Sequence, residues 1–159
     1  MKIFCSFIIT AMLSACASTS TVTDVHDQPL SIVTRLAASG DAEAVHDLCY
    51  RFKYGRGASL NYQAALKWCR EGAALDIDSS QVLLAEMYYN GQGTPVNFAE
   101  ALNWYQAAAA QGHEHALLML YHMYSDGSGT PRDRKRALSY LQKAADAGYQ
   151  LAIDEIAKL

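Results

Sequence analysis

The sequence predicts an all-α protein, a right-handed α-solenoid of helix-turn-helix repeats. Three observations carry that expectation. A 36-residue unit, clearest at 89–112 (YNGQGTPVNFAEALNWYQAAAAQG), recurs without a gap at 125–148 and at 53–76. Gly55, Gly91 and Gly127 align, as do Gly57, Gly93 and Gly129, and so do Ala65, Ala101 and Ala137. Within each copy, apolar residues at helical spacing lie on both sides of the Gly-x-Gly, so a copy reads as two amphipathic helices. Partial copies flank the full ones. Such a period marks stacked hairpins, none of which buries its apolar face alone.

The elements follow in order. In the second copy Val82, Leu83, Leu84, Met87 and Tyr88 form the apolar side of a first helix. Gly91 ends it, because glycine accepts the left-handed conformation of a helix terminus. Thr94-Pro95 and Thr130-Pro131 turn the loop away from helix. Asn61, Asn97 and Asp133 then cap second helices. Repeated alanines allow close approach, and Trp68, Trp104 and Tyr140 fill the space between neighbours. Full units are expected at about 42–77, 78–113 and 114–149. Ile32, Val33, Leu36 and Ala37 read as the end of a truncated preceding unit, and 150–159 as a capping first helix of a fourth.

Upstream, residues 1–15 form a targeting segment: Lys2 gives the positive start and 3–13 an apolar core too short to span a bilayer. Leu13-Ser14-Ala15-Cys16 resembles a bacterial lipobox, which implies cleavage before Cys16 and acylation of that cysteine. Several acyl chains suffice for durable anchorage. The competing reading is an ordinary secretory signal with a stray cysteine. Ala17 in place of Asp after the cysteine implies, by resemblance to enteric sorting, the periplasmic side of the outer membrane. The stretch 17–28 is small and polar, so 16–30 reads as a flexible lipidated tether ahead of a repeat domain at 31–159. His26 is expected there in solvent, without companion ligands.

The pattern Tyr-x-Asn-Gly-x-Gly-Thr-Pro, Ala-Leu-x-Trp-Tyr, Ala-Ala-x-x-Gly resembles the Sel-1-like repeat, a relative of the tetratricopeptide repeat, over roughly 41–159. The first copy departs from it, with Ala58-Ser59 for Thr-Pro, Asp76 for glycine, Cys49 where the family usually has glycine and Cys69 where it usually has tyrosine. Those two family residues would pack together. An intra-hairpin disulfide and two buried free thiols are therefore both open, the former adding roughly 2–4 kcal/mol.

Chemistry is poorly represented. The formal charge of −3 argues against bulk nucleic-acid binding. No Lys or Arg lies between Glu71 and Pro131, whereas Arg132, Arg134, Lys135 and Arg136 crowd the next loop, a pattern able to steer a partner. His113, Glu114, His115 and His122 do not make a metal set, since the first histidines flank a helix start. Gly127-Ser128-Gly129 is the repeat's own loop, and no Ser-x-x-Lys or His-Glu-x-x-His motif occurs in the mature chain. No cofactor, metal or catalytic residue is assigned.

In the related tetratricopeptide fold the first helices line a concave, peptide-binding face. Opposite the inward stripe of Val45, Leu48, Cys49 and Phe52, positions 36 apart form four ladders. These are Glu43, Ser79 and His115; His46, Val82 and Leu118; Tyr50, Glu86 and His122; and Lys53, Tyr89 and Ser125. Their mixed aromatic, acidic and imidazole composition suits protein recognition. The resulting expectation is a non-enzymatic adaptor for a periplasmic protein or peptide. The alternatives are an immunity lipoprotein that binds a cognate toxin and, less favoured, a β-lactamase-like or cell-wall-acting enzyme.

Overall fold

Helix boundaries follow the punctuation carried by the repeat. The computed structural model describes residues 24–159, and among them there are eight α-helices and no strand. A short 3-10 turn, Val25–Asp27, precedes α1 (Leu30–Ala38). Three hairpins follow: α2 (Ala42–Tyr54) with α3 (Tyr62–Ala74), α4 (Asp78–Asn90) with α5 (Phe98–Ala110), and α6 (Glu114–Asp126) with α7 (Arg134–Asp146). The last helix, α8 (Gln150–Ile156), packs on α7 as α1 packs on α2. Each helix touches its successor, which is the connectivity of an α-solenoid.

The same chemistry sets the same ends three times. Asn61, Asn97 and Asp133 accept hydrogen bonds from the backbone N–H groups of Ala64, Glu100 and Arg136, at 2.9–3.1 Å. Gly55, Gly91 and Gly127 terminate α2, α4 and α6 in the left-handed region. The second glycine of each pair has a further duty in the later copies. A Cβ on Gly93 would lie 2.6 Å from the Tyr62 carbonyl oxygen, and one on Gly129 would lie 2.6 Å from the Phe98 carbonyl carbon. Each loop thus rests directly on the start of the preceding repeat's second helix.

Between hairpins the core is continuous. Leu84, Met87 and Ala65 pack in one cluster, and Tyr105, Leu120 and Met123 in the next, with Trp68 and Trp104 each bridging two clusters. Cys49 on α2 and Cys69 on α3 form a disulfide, with Cα atoms 4.8 Å apart and both side chains fully buried. It closes the first hairpin covalently, where the second has Ala85 and Tyr105. Asp76 takes φ +60° where the other repeat ends have glycine at +85 to +91°. Its carboxylate accepts from Gln81 Nε2 at 2.8 Å and Gln111 Nε2 at 3.1 Å, which holds a side chain in that conformation.

One boundary differs from expectation. The sequence suggests a tether over 16–30, but residues 24–30 are docked. Arg51 on α2 donates to the carbonyls of Val25, His26 and Gln28 at 2.7–3.1 Å, and its Nε pairs with Asp47 at 2.5 Å. His26 Nδ1 bonds the other Asp47 oxygen at 2.6 Å. Asp47 and Arg51 are 2% and 6% exposed. The equivalent residues, Leu83 and Met119, and Met87 and Met123, are apolar. The first repeat has no full predecessor, so a polar strap covers this face and its carbonyls satisfy the guanidinium. Cys16 and the lipobox lie outside the described residues.

Candidate functional site

The first helices α2, α4 and α6 carry the ladder positions, and the structure brings some of them together in an arrangement other than the expected one. A polar chain crosses all three repeats. Lys53 on α2 donates its ammonium to Glu86 Oε2 on α4, and Tyr54 donates to the same oxygen at 3.3 Å. Glu86 Oε1 pairs with His115 Nε2 on α6 at 3.3 Å, and His115 Nδ1 bonds the Tyr149 hydroxyl at 3.2 Å. Burial alone would raise the Glu86 carboxyl. The bond from His115, with the attraction and hydrogen bond of Lys53, outweighs it and holds the pKa at about 2. Glu86 is therefore a charged, shared acceptor that ties the three first helices together.

Three residues expected on the open face are not available there. Val82 and Leu118 are 4% and 7% exposed and belong to the apolar core. Lys53 is 4% exposed with its ammonium turned onto Glu86. The reason is geometric. The ladder contacts between repeats join side chains 29–34 residues apart, as in Glu86–His115, Lys53–Glu86, His46–Ser80 and His115–Tyr149. A ladder drawn at 36 therefore misses these neighbours and assigns some buried positions to the surface.

The remaining ladder residues form two groups. Glu43 is exposed at the start of α2, and His46 bonds Ser80 Oγ at 3.0 Å. Burial lowers the His46 pKa. The first helices also carry an aromatic series: Tyr50 against Tyr54 at 4.8 Å between ring centres, Tyr89 edge-on to Phe98 at 5.0 Å, and His122 against Tyr121 at 4.9 Å. Tyr54 is 46% and Phe98 39% exposed. The Tyr105 hydroxyl is buried with no hydrogen-bond partner, and burial raises its pKa far above the ordinary phenol value.

Tyr54, Phe98, Tyr105 and Tyr149 were missed from the sequence. Tyr54 and Tyr149 fall outside the four ladders, and Phe98 begins a second helix.

The histidines do not converge. His115 turns to Glu86 and Tyr149, and His122 to Tyr121. His26 does have company, contrary to expectation: Asp24, His26 and Glu43 place ligand-type atoms within 4.8 Å of one another. All three are exposed, and His26 Nδ1 is committed to Asp47. No helix among the described residues is long and apolar enough to cross a membrane.

Comparison with known proteins agrees with this architecture. The Sel1 repeat family model matches residues 42–77, 78–113 and 116–149. A Sel1 repeat protein from Oxalobacter formigenes superposes with a TM-score of 0.73 at 29% identity, over 79% of this chain and 95% of that one. The c5321 protein, a protective antigen of uropathogenic Escherichia coli with an SLR fold, gives 0.77 at 28% identity over 80% of this chain, which spans only 27% of that longer protein. The cysteine-rich protein B of Helicobacter pylori gives 0.64 at 17% identity, over 80% and 97% of the two chains, a likeness of fold alone. No curated protein matches the sequence significantly. Repeats of this kind typically serve as scaffolds for protein–protein interaction. Period, caps, stacked hairpins and structural likeness agree, and the chain is a member of the Sel1-repeat family.

Proposed function

We propose that the protein is a non-enzymatic adaptor, anchored through a lipidated Cys16 to the outer membrane and facing the periplasm, that holds a protein or peptide partner on its first-helix face. The observation that carries this reading is the aromatic series Tyr50, Tyr54, Tyr89 and Phe98 beside the Lys53–Glu86–His115–Tyr149 chain. Tyrosine offers a large amphipathic contact with little conformational freedom to lose, which suits recognition. The polar chain fixes the spacing of the three first helices, so the surface is organised before a partner arrives. The Cys49–Cys69 disulfide supports an oxidising compartment, because such bonds are rare in the cytosol. The lipobox supports the anchor.

Two experiments test the reading. Crosslinking in living cells, with a photoreactive group at position 50, 54 or 89, should trap one partner. A Tyr50→Ala/Tyr54→Ala/Tyr89→Ala variant should recover less of it while keeping wild-type helicity. Equal recovery removes this face from consideration. Metabolic labelling with an alkyne fatty acid should mark the wild type and not Cys16→Ala; an unlabelled wild type removes the anchor.

A further inference from the structure

The third repeat carries a recess that the first-helix face does not use. It lies between α5 and α7, has a volume of about 550 Å³, and is lined by Gln106, Tyr124, Tyr140, Lys135, Arg136 and Lys143 among others. Tyr124 and Tyr140 stack with ring centres 5.6 Å apart and planes 16° from parallel. Arg136 lies 5.7 Å from the Tyr124 ring centre, and the Lys143 ammonium 5.6 Å from that of Tyr140.

The preceding repeat serves as an internal control. Thirty-six positions earlier stand Arg70, Tyr88, Trp104, Ala99, Glu100 and Ala107. There Arg70 covers the Tyr88 ring and donates to its hydroxyl at 2.9 Å. In the third repeat Gln106 takes the place of Arg70 and donates to the Tyr124 hydroxyl at 3.0 Å. Lys135, Arg136 and Lys143 replace Ala99, Glu100 and Ala107, so one acid among them gives way to three cations. The lining acid, Asp133, is already occupied. It accepts from the Arg136 backbone at 2.9 Å and pairs with the Arg136 side chain at 3.3 Å. Among the described residues neither Lys135 nor Lys143 belongs to an ion pair.

We infer that this recess is a second docking site, one that takes an acidic segment of a partner protein with an aromatic side chain among its carboxylates. Two ammonium groups outside any ion pair supply sites for carboxylates. Tyr140, half-buried and backed by the buried Tyr124, supplies an aromatic wall against which a ring can lie. A planar lipid surface would meet the lysine tips but could not follow the recess inward to Tyr140, which is half-buried. An acidic peptide engages both.

The test uses the full chain and a fluorescein-labelled Glu-Asp-Tyr-Glu-Asp peptide read by anisotropy. Binding should saturate and weaken with added salt. It should fall about tenfold or more in Lys135→Glu/Lys143→Glu, as expected for losing charge-assisted bonds. The milder Lys135→Gln/Lys143→Gln variant guards against a folding defect and should lose binding in the same direction. Lys67→Glu, on α3, should change nothing. Tyr140→Ser should abolish the preference for this peptide over its Tyr→Ser counterpart. The inference is overturned if the wild type ignores the peptide, or if the lysine variants bind it unchanged. It is also overturned if anionic vesicles or inorganic phosphate show the lysine dependence and the peptide does not.

Discussion

Replacing Glu86 by glutamine should expose how far the first-helix face depends on one carboxylate. In the wild type Glu86 accepts from Lys53, Tyr54 and His115, and its side chain is 22% exposed. Folding lowers its pKa from 4.5 to about 2. A depressed acid stabilises the fold above its unfolded pKa, and that contribution fades as pH falls from about 4.5 towards 2. A tenfold change in proton affinity is worth about 1.4 kcal/mol, so with allowance for partial exposure Glu86→Gln should lose about 2–3 kcal/mol at pH 7. Part of that loss reflects the Lys53 ammonium left buried without its partner. Lys53→Met/Glu86→Leu should therefore recover most of it. Urea unfolding at pH 7 and pH 3 measures all three chains. Glu86→Gln should unfold early at pH 7 and narrow its gap to wild type at pH 3. A midpoint equal to wild type at pH 7, or a gap unchanged at pH 3, would refute the reasoning.

Further expectations concern the first repeat. Removing the disulfide as Cys49→Ala/Cys69→Ala should cost about 3 kcal/mol, the loop-closure value for a separation of 20 residues. Hydrogen exchange should rise in α2 and α3 before α6 and α7; uniform acceleration would contradict a local role. A Cβ on Gly72 would lie 2.6 Å from Ser80 Cβ, so Gly72→Ala should destabilise by about 1–3 kcal/mol in thermal melts. In a Ser80→Gly background, which removes that Cβ, the same change should cost far less. Additive costs would be the contrary result. The hydrogen bond to Asp47 raises the His26 pKa above its ordinary 6.5 against desolvation. Its stabilisation is present below the unfolded value and lost as pH rises through the folded one. Amides of residues 25–28 should therefore exchange faster relative to intrinsic rates above that range, and His26→Ala should abolish the difference.

The fold was legible because three copies in one chain act as their own alignment. Asn61, Asn97 and Asp133 cap where expected, and Gly55, Gly91 and Gly127 stop the first helices. The face was legible only as a set of helices. Val82 and Leu118 were misassigned because sequence spacing gives equivalence between repeats, not contact across them. The docked strap left a signal that went unread: Asp47 and Arg51 are charged where the other copies have Leu83, Met119, Met87 and Met123. Charge at an inter-repeat position means that something polar covers it. The second glycine of each pair was similarly half understood, since turn geometry explains its conformation but not the backbone of Tyr62 or Phe98 lying against it.

The covalent bond in the first hairpin also bears on mechanics. Tension applied at the N-terminus would peel the strap and unravel α1, then α2 as far as Cys49. There the load passes across to Cys69, and residues 50–68 carry none of it. Residues 24–48 can release roughly 85 Å of extended chain before that arrest. Reeling ends at a fixed knot, and the repeats beyond it are shielded until the force suffices to strip α3 from its C-terminal half.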